Sequence, residues 1–132
     1  MELDELIENF EFFDSWEEKY QYVIDLGKKL EILPETYKTE EWKVQGCQSQ
    51  VWLVPEIKNG IFRFKGDSDA ILVKGIIAIV LMIYNNKSAE EIKNIDVAEI
   101  FAKLGLEENL TPSRRNGMMS MVNKIRQYAE NA

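Results

Sequence analysis

Val51-Trp52-Leu53-Val54-Pro55-Glu56-Ile57-Lys58-Asn59-Gly60-Ile61-Phe62-Arg63-Phe64-Lys65 decides the fold. Its first four residues are β-branched, aromatic or aliphatic, and its last five set Phe62 and Phe64 against Arg63 and Lys65, so both ends read as strands. Between them Asn59-Gly60 tolerates positive φ at both positions, which is what a tight hairpin turn requires. A hairpin is predicted here. A third strand through residues 42–45 is expected to complete a small antiparallel sheet.

Outward from the hairpin the period changes to that of helices. Upstream, Leu3, Leu6, Ile7 and Phe10 recur at helical spacing over residues 2–12. Ser15-Trp16-Glu17-Glu18 has the form of a capping box and opens a second helix, with Trp16, Tyr20, Val23, Gly27 and Leu30 on one face, ending before Pro34. Downstream, Asp67-Ser68-Asp69 is expected to cap a helix from Ile71 to Tyr84 whose only charge is Lys74. Being apolar nearly all round, that helix belongs at the centre of the core. Ser88-Ala89-Glu90-Glu91 repeats the capping box, Asp96 caps a helix over Val97 to Leu104, and Gly105 stops it. The last helix opens at Thr111-Pro112 and runs to about Glu130, burying Met118, Met121, Val122 and Ile125. Helices, then strands, then helices give an α+β class with about three antiparallel strands, read as one domain over residues 1–132.

Composition removes whole classes of function. The chain has 132 residues, 45% of them hydrophobic, enough to build a core. Its net charge of −7 repels phosphate backbones and anionic lipid, so neither nucleic acid nor membrane is an expected partner. The longest apolar run, residues 75–84, is too short to span a bilayer. The acidic start Met1-Glu2-Leu3-Asp4-Glu5 lacks the basic and apolar regions of a signal peptide, which points to the cytoplasm. There is no histidine and a single cysteine. Cys-His and Ser-His pairs, His ligation, an internal disulfide and a CxxC pair are all excluded, and no metal site is expected.

What remains is Cys47, in the polar stretch Gln45-Gly46-Cys47-Gln48-Ser49-Gln50, which reads as a loop. A lone cysteine is more often a small buried hydrophobe. Here it has no apolar neighbour, and Gly46 permits a turn that lifts the side chain out of a strand. Sulfur transfer asks little of the chain itself: one reachable thiolate attacks the terminal sulfur of a persulfide and the donor thiol leaves. Without histidine, modest reactivity is expected of the protein alone. Two other uses stand beside this one, an interaction module in which Cys47 is structural and Arg114 and Lys74 dock a partner, and a redox switch. Arg114 and Arg115, in the first turn of the last helix, need anionic partners against the helix dipole; Glu107 or Glu108 are the nearest in sequence. Lys74 must snorkel or pair. Oxidative cross-linking of two copies through Cys47 leaves a homodimer open.

The stretch Val44-Gln45-Gly46-Cys47-Gln48-Ser49-Gln50-Val51-Trp52 resembles the sulfur-acceptor signature of the SufE family. Residues 64–75, from Phe64-Lys65-Gly66 to Val73-Lys74-Gly75, resemble its strand-to-helix segment. Leu110-Thr111-Pro112-Ser113-Arg114-Arg115-Asn116-Gly117 resembles the start of its C-terminal helix, and Trp16-Glu17-Glu18-Lys19-Tyr20 an N-terminal stretch. The resemblance implies a fold like that of the IscU-type scaffold proteins, with the cysteine on a loop whose side chain can tuck into an apolar pocket. It implies a cysteine desulfurase of the SufS or CsdA kind, dependent on pyridoxal phosphate, as sulfur donor, a downstream scaffold such as SufBCD, and no cofactor on this chain. Carried over, Cys47 is the persulfide acceptor, Gly46, Gln48 and Ser49 shape its loop, and Asp69, Lys74 and Arg114 face the desulfurase. One departure is Asn109, where relatives often carry histidine.

Overall fold

The hairpin forms around Asn59 and Gly60, with φ of 55° and 77°. It pairs β1 (Val51–Lys58) with β2 (Ile61–Ser68) antiparallel and without a bulge, from Val51 opposite Ser68 to Lys58 opposite Ile61. The computed structural model describes residues 2–132, so Met1 of the acidic start lies outside it. β1 runs through Pro55 because of register. Opposite it, Phe64 turns its N–H away from β1 to Asn85 Oδ1 at 2.7 Å, so this pair makes no ladder bond and the missing proline donor deprives β2 of nothing.

The third strand is not residues 42–45. Its place is taken by β3 (Lys87–Ser88), which pairs with β2 at Ile61 and Phe62, giving the order β1-β2-β3. Residues 42–44 only bridge the other edge of β1, through Val44 N to Val51 O (2.8 Å) and Leu53 N to Trp42 O (3.0 Å), before the chain turns away at Gln45-Gly46. Ser88 was legible as a cap alone, since a two-residue strand carries no period.

The helices are α1 (Leu3–Phe12), α2 (Trp16–Gly27), α3 (Ile71–Tyr84), α4 (Ala89–Asn94), α5 (Val97–Leu104), α6 (Leu106–Asn109) and α7 (Pro112–Glu130). Ser15, Ser88, Asp96 and Thr111 cap α2, α4, α5 and α7 as read from sequence, and Gly105 ends α5 at φ 68°. The cap expected of Asp67-Ser68-Asp69 is absent. β2 extends to Ser68, α3 starts after Ala70 with no side-chain cap, and the three residues spend their side chains elsewhere.

α3 lies at the centre, against β2, α2 and α7. Ile76, Ile77, Ile79 and Val80 are at most 1% exposed, and each contributes about 1.5–3 kcal/mol on burial. It crosses α2 at a pair of glycines: a Cβ on Gly27 would lie 2.6 Å from Gly75 N, and one on Gly75 would collide with the Val23 carbonyl. The other face of the hairpin buries Trp52 and Val54 under Leu33 and Trp42. That explains the unbroken apolar run 51–54, buried on both faces.

Asp67 fastens this outer layer to α3. Its Oδ2 lies 3.0 Å from Lys38 Nζ and its Oδ1 3.4 Å from Lys74 Nζ. Burial raises the carboxyl's pKa, but the hydrogen bonds from Lys38 and the Ser68 amide and the charges of both lysines outweigh it and hold the pKa below 3.8. A lowered carboxyl stabilises the fold above its unfolded pKa and loses that contribution as pH falls through its folded value. Asp67→Asn should therefore lose about 1–2 kcal/mol at neutral pH by denaturant titration, and the gap to wild type should close as pH falls below 3.8.

Candidate functional site

The chain between the Val44 and Val51 backbones closes a loop whose tip carries Cys47. Gly46 turns it at φ 90°, a conformation that demands glycine, and a Cβ there would lie 2.6 Å from Ser120 Oγ on α7 and push that hydroxyl aside. At the far end Asp69 grips the loop twice. Its Oδ1 accepts from Gln50 N at 3.0 Å, and its own N–H donates to Gln50 O at 3.4 Å.

Cys47 is half-buried against α7, its S–H directed at the Gly117 carbonyl 3.6 Å away. A Cβ on Gly117 would sit 3.4 Å from Sγ. A glycine inside a helix costs about 1 kcal/mol relative to alanine, and here it lets the sulfur lie directly over the α7 backbone. Beside the thiol opens a cavity of about 350 Å³. Gln48 and Ser49 line it on the loop side, Val73 and Ile76 of α3 and Met118 and Met121 of α7 make it apolar, and Arg114 stands at it from the first turn of α7. The cysteine thus lies beside a cavity with one apolar wall, where the resemblance implied an apolar pocket.

Burial pushes the Cys47 thiol above its ordinary 9.0. The thiol therefore stays protonated at neutral pH, and thiolate chemistry must wait until the sulfur leaves this environment. Alkylation of Cys47 by iodoacetamide should be slower than that of free cysteine at pH 8 and should climb only above pH 9.0. Asp69→Ala removes a bond worth about 1 kcal/mol that holds the loop in, so the same rate should rise about five-fold. Unchanged alkylation in that variant would mean that Asp69 does not restrain the loop.

The other expected residues fall in different places. Lys74 is tied to Asp67 and Asp69 to the loop backbone, so neither reaches the cavity wall. Arg114 is exposed and has no ion-pair partner among the described residues. Arg115 meets Glu107 through the backbone carbonyl, at 3.1 Å, rather than through the expected carboxylate. Asn109 gives its carbonyl to the Tyr20 hydroxyl and its amide to the Gly105 carbonyl. Gly117 was missed as a site residue, although a glycine in the middle of a helical pattern was a signal that something packs against it. Among the described residues no cluster of His, Cys, Asp or Glu is arranged to hold a metal ion, and no helix is long and apolar enough to cross a membrane.

The family model described as SufE, Fe-S metabolism associated domain, matches residues 4–129. An uncharacterized SufE-like protein of Rhizobium meliloti is 48% identical over 97% of this chain and 94% of its own length. One of Rhizobium etli is 52% identical over 97% and 89%. A solution structure of a hypothetical protein from Thermus thermophilus superposes with a TM-score of 0.79 over 98% of this chain and 94% of that one. At 20% identity, that likeness is one of fold.

Proposed function

From the premise that the chain belongs to the SufE family and so to Fe–S metabolism, we propose that it is a sulfur carrier whose Cys47 accepts a persulfide sulfur from a cysteine desulfurase. The observation that carries this reading is the chain's only thiol, half-buried beside a cavity with an apolar wall, on a loop that Asp69 holds by hydrogen bonds to Gln50. The Cys47 thiolate attacks the outer sulfur of the donor's persulfide, a new S–S bond forms, and the donor cysteine leaves as thiolate. In a second displacement the acceptor's thiolate attacks the outer sulfur now on Cys47, and Cys47 leaves. A thiol with a raised pKa holds a smaller fraction of the attacking thiolate at neutral pH and is a poorer leaving group, so both steps are slow in the closed loop.

The donor is of the SufS or CsdA kind, and the pyridoxal phosphate belongs to it. The final acceptor is a scaffold of the SufBCD kind. Arg114, which has no ion-pair partner among the described residues, and the exposed parts of Asp69 and Lys74 face the donor, whose docking draws the loop out and speeds its turnover. The protein acts as accessory rather than as enzyme. Incubation with a cognate desulfurase and free cysteine should add one sulfur atom to the intact mass, removed by reductant; a mass that never changes would sink the proposal.

A further inference from the structure

β2 is bonded to β1 along its whole length but to β3 only at Ile61 and Phe62. Alternate residues of an antiparallel strand turn their backbone groups to opposite sides. Phe62 gives its carbonyl to Asn86 N (2.8 Å), and Phe64 donates its N–H to Asn85 Oδ1. Gly66 is next in that series and faces the same side, buried at the floor of a cleft, while the N–H of Ser68 beyond it is taken by Asp67 Oδ1. The Asn85 amide also donates to the Phe64 carbonyl at 3.5 Å, so one side chain stands where a strand would be. Beyond it, among the described residues, nothing hydrogen-bonds to the Gly66 backbone from that side.

This edge forms one wall of a cavity of about 560 Å³, larger than the one beside Cys47. Ala78, Leu81 and Met82 of α3 line it with apolar surface. Its charged residues run against the sign of the molecule, with Lys29, Arg63, Lys65 and Lys87 facing only Glu2 and Glu31 on a chain of net charge −7. Glu31 is taken up by Arg63 and Lys65. Lys29 and Lys87 are left without an ion-pair partner among the described residues.

We propose that this cleft takes an extended acidic segment of a partner protein, which lies beside β2 as a strand and bonds to the unpaired backbone of Gly66. Strand addition uses main-chain hydrogen bonds for affinity and alternate side chains for specificity. Here the incoming backbone continues where Asn85 ends and bonds first to Gly66. One set of its side chains rests on Ala78 and Met82, and the acidic set meets Lys29 and Lys87. The surplus of cations selects an acidic segment over a basic or neutral one. The cleft shares no residue with the Cys47 cavity, whose α3 wall is Val73 and Ile76. A partner seated here leaves the thiol free, and the proposal stands apart from the sulfur-carrier reading.

The test is a titration of the ¹⁵N-labelled full chain with an acetylated octapeptide of alternating glutamate and valine. The Gly66 amide and its neighbours should shift saturably, and exchange of the Gly66 N–H with water should slow. Reversing the two free charges in a Lys29→Glu, Lys87→Glu double variant should weaken binding about ten-fold or more. If that variant does not fold, Lys29→Gln with Lys87→Gln should weaken it in the same direction. An absent shift, or an equal response to alternating lysine and valine, overturns the proposal. So does displacement of the peptide by inorganic phosphate with the same shifts, which would mark a small-anion site. Protection of Gly66 that grows with protein concentration alone would assign the edge to a second copy and overturn it as well.

Discussion

Replacing Gly75 by alanine is expected to cost about 3 kcal/mol or more, a large share of what a domain of this size has. The added methyl would meet the Val23 backbone, not a side chain that can swing aside, and Gly27 shows the same intimacy from the other helix. To make room, α2 and α3 must separate, and α3 also packs on the sheet and on α7. The denaturation midpoint should fall while the slope stays constant. A midpoint within about 1 kcal/mol of wild type would show that the crossing has slack that the two glycines do not suggest.

Cys47→Ser should abolish sulfur uptake in the mass assay. No other thiol exists in the chain to replace it. The fold should survive, because the serine hydroxyl occupies less space and can still donate to the Gly117 carbonyl; stability should stay within about 1 kcal/mol of wild type. The same variant separates two roles. If it still stimulates the desulfurase fully, binding does the work and Cys47 is incidental to that effect; if stimulation is lost with uptake, removal of the sulfur is what speeds the donor.

Much of the fold could be read from local chemistry. Asn59-Gly60 named its turn, Ser88 and Asp96 their caps, and the charge-poor run 71–84 its central place, since each depends on neighbours within four or so residues. Errors came where long-range pairing outweighed local preference. Asp67-Ser68-Asp69 has good capping residues, yet β2 holds two of them, and Asp67 answers to Lys38, far away in sequence. Residues 42–45 look like a strand but had a partner for one bridge only. The same division applies to the site. Cys47 stood out by its polar neighbours and by the lack of histidine. A pocket was implied by the resemblance alone and its walls by nothing local, because Val73, Ile76, Met118 and Met121 come together only when α3 and α7 pack. Nothing local marked the unpaired edge at Gly66 either, which follows from register and from the early end of β3.

The contact between Cys47 and Gly117 spans 70 positions of the chain. The hairpin joins near neighbours and can form within microseconds, whereas closing so long a segment carries a greater entropic cost and comes later. During synthesis the loop leaves the ribosome well before α7, so the cysteine is at first an open, solvated thiol of ordinary acidity. Its protection arrives with the last helix. Until residues 112–130 are in place the sulfur is unguarded and open to oxidation, and the C-terminal helix is thus the safety catch of the site as well as one of its walls.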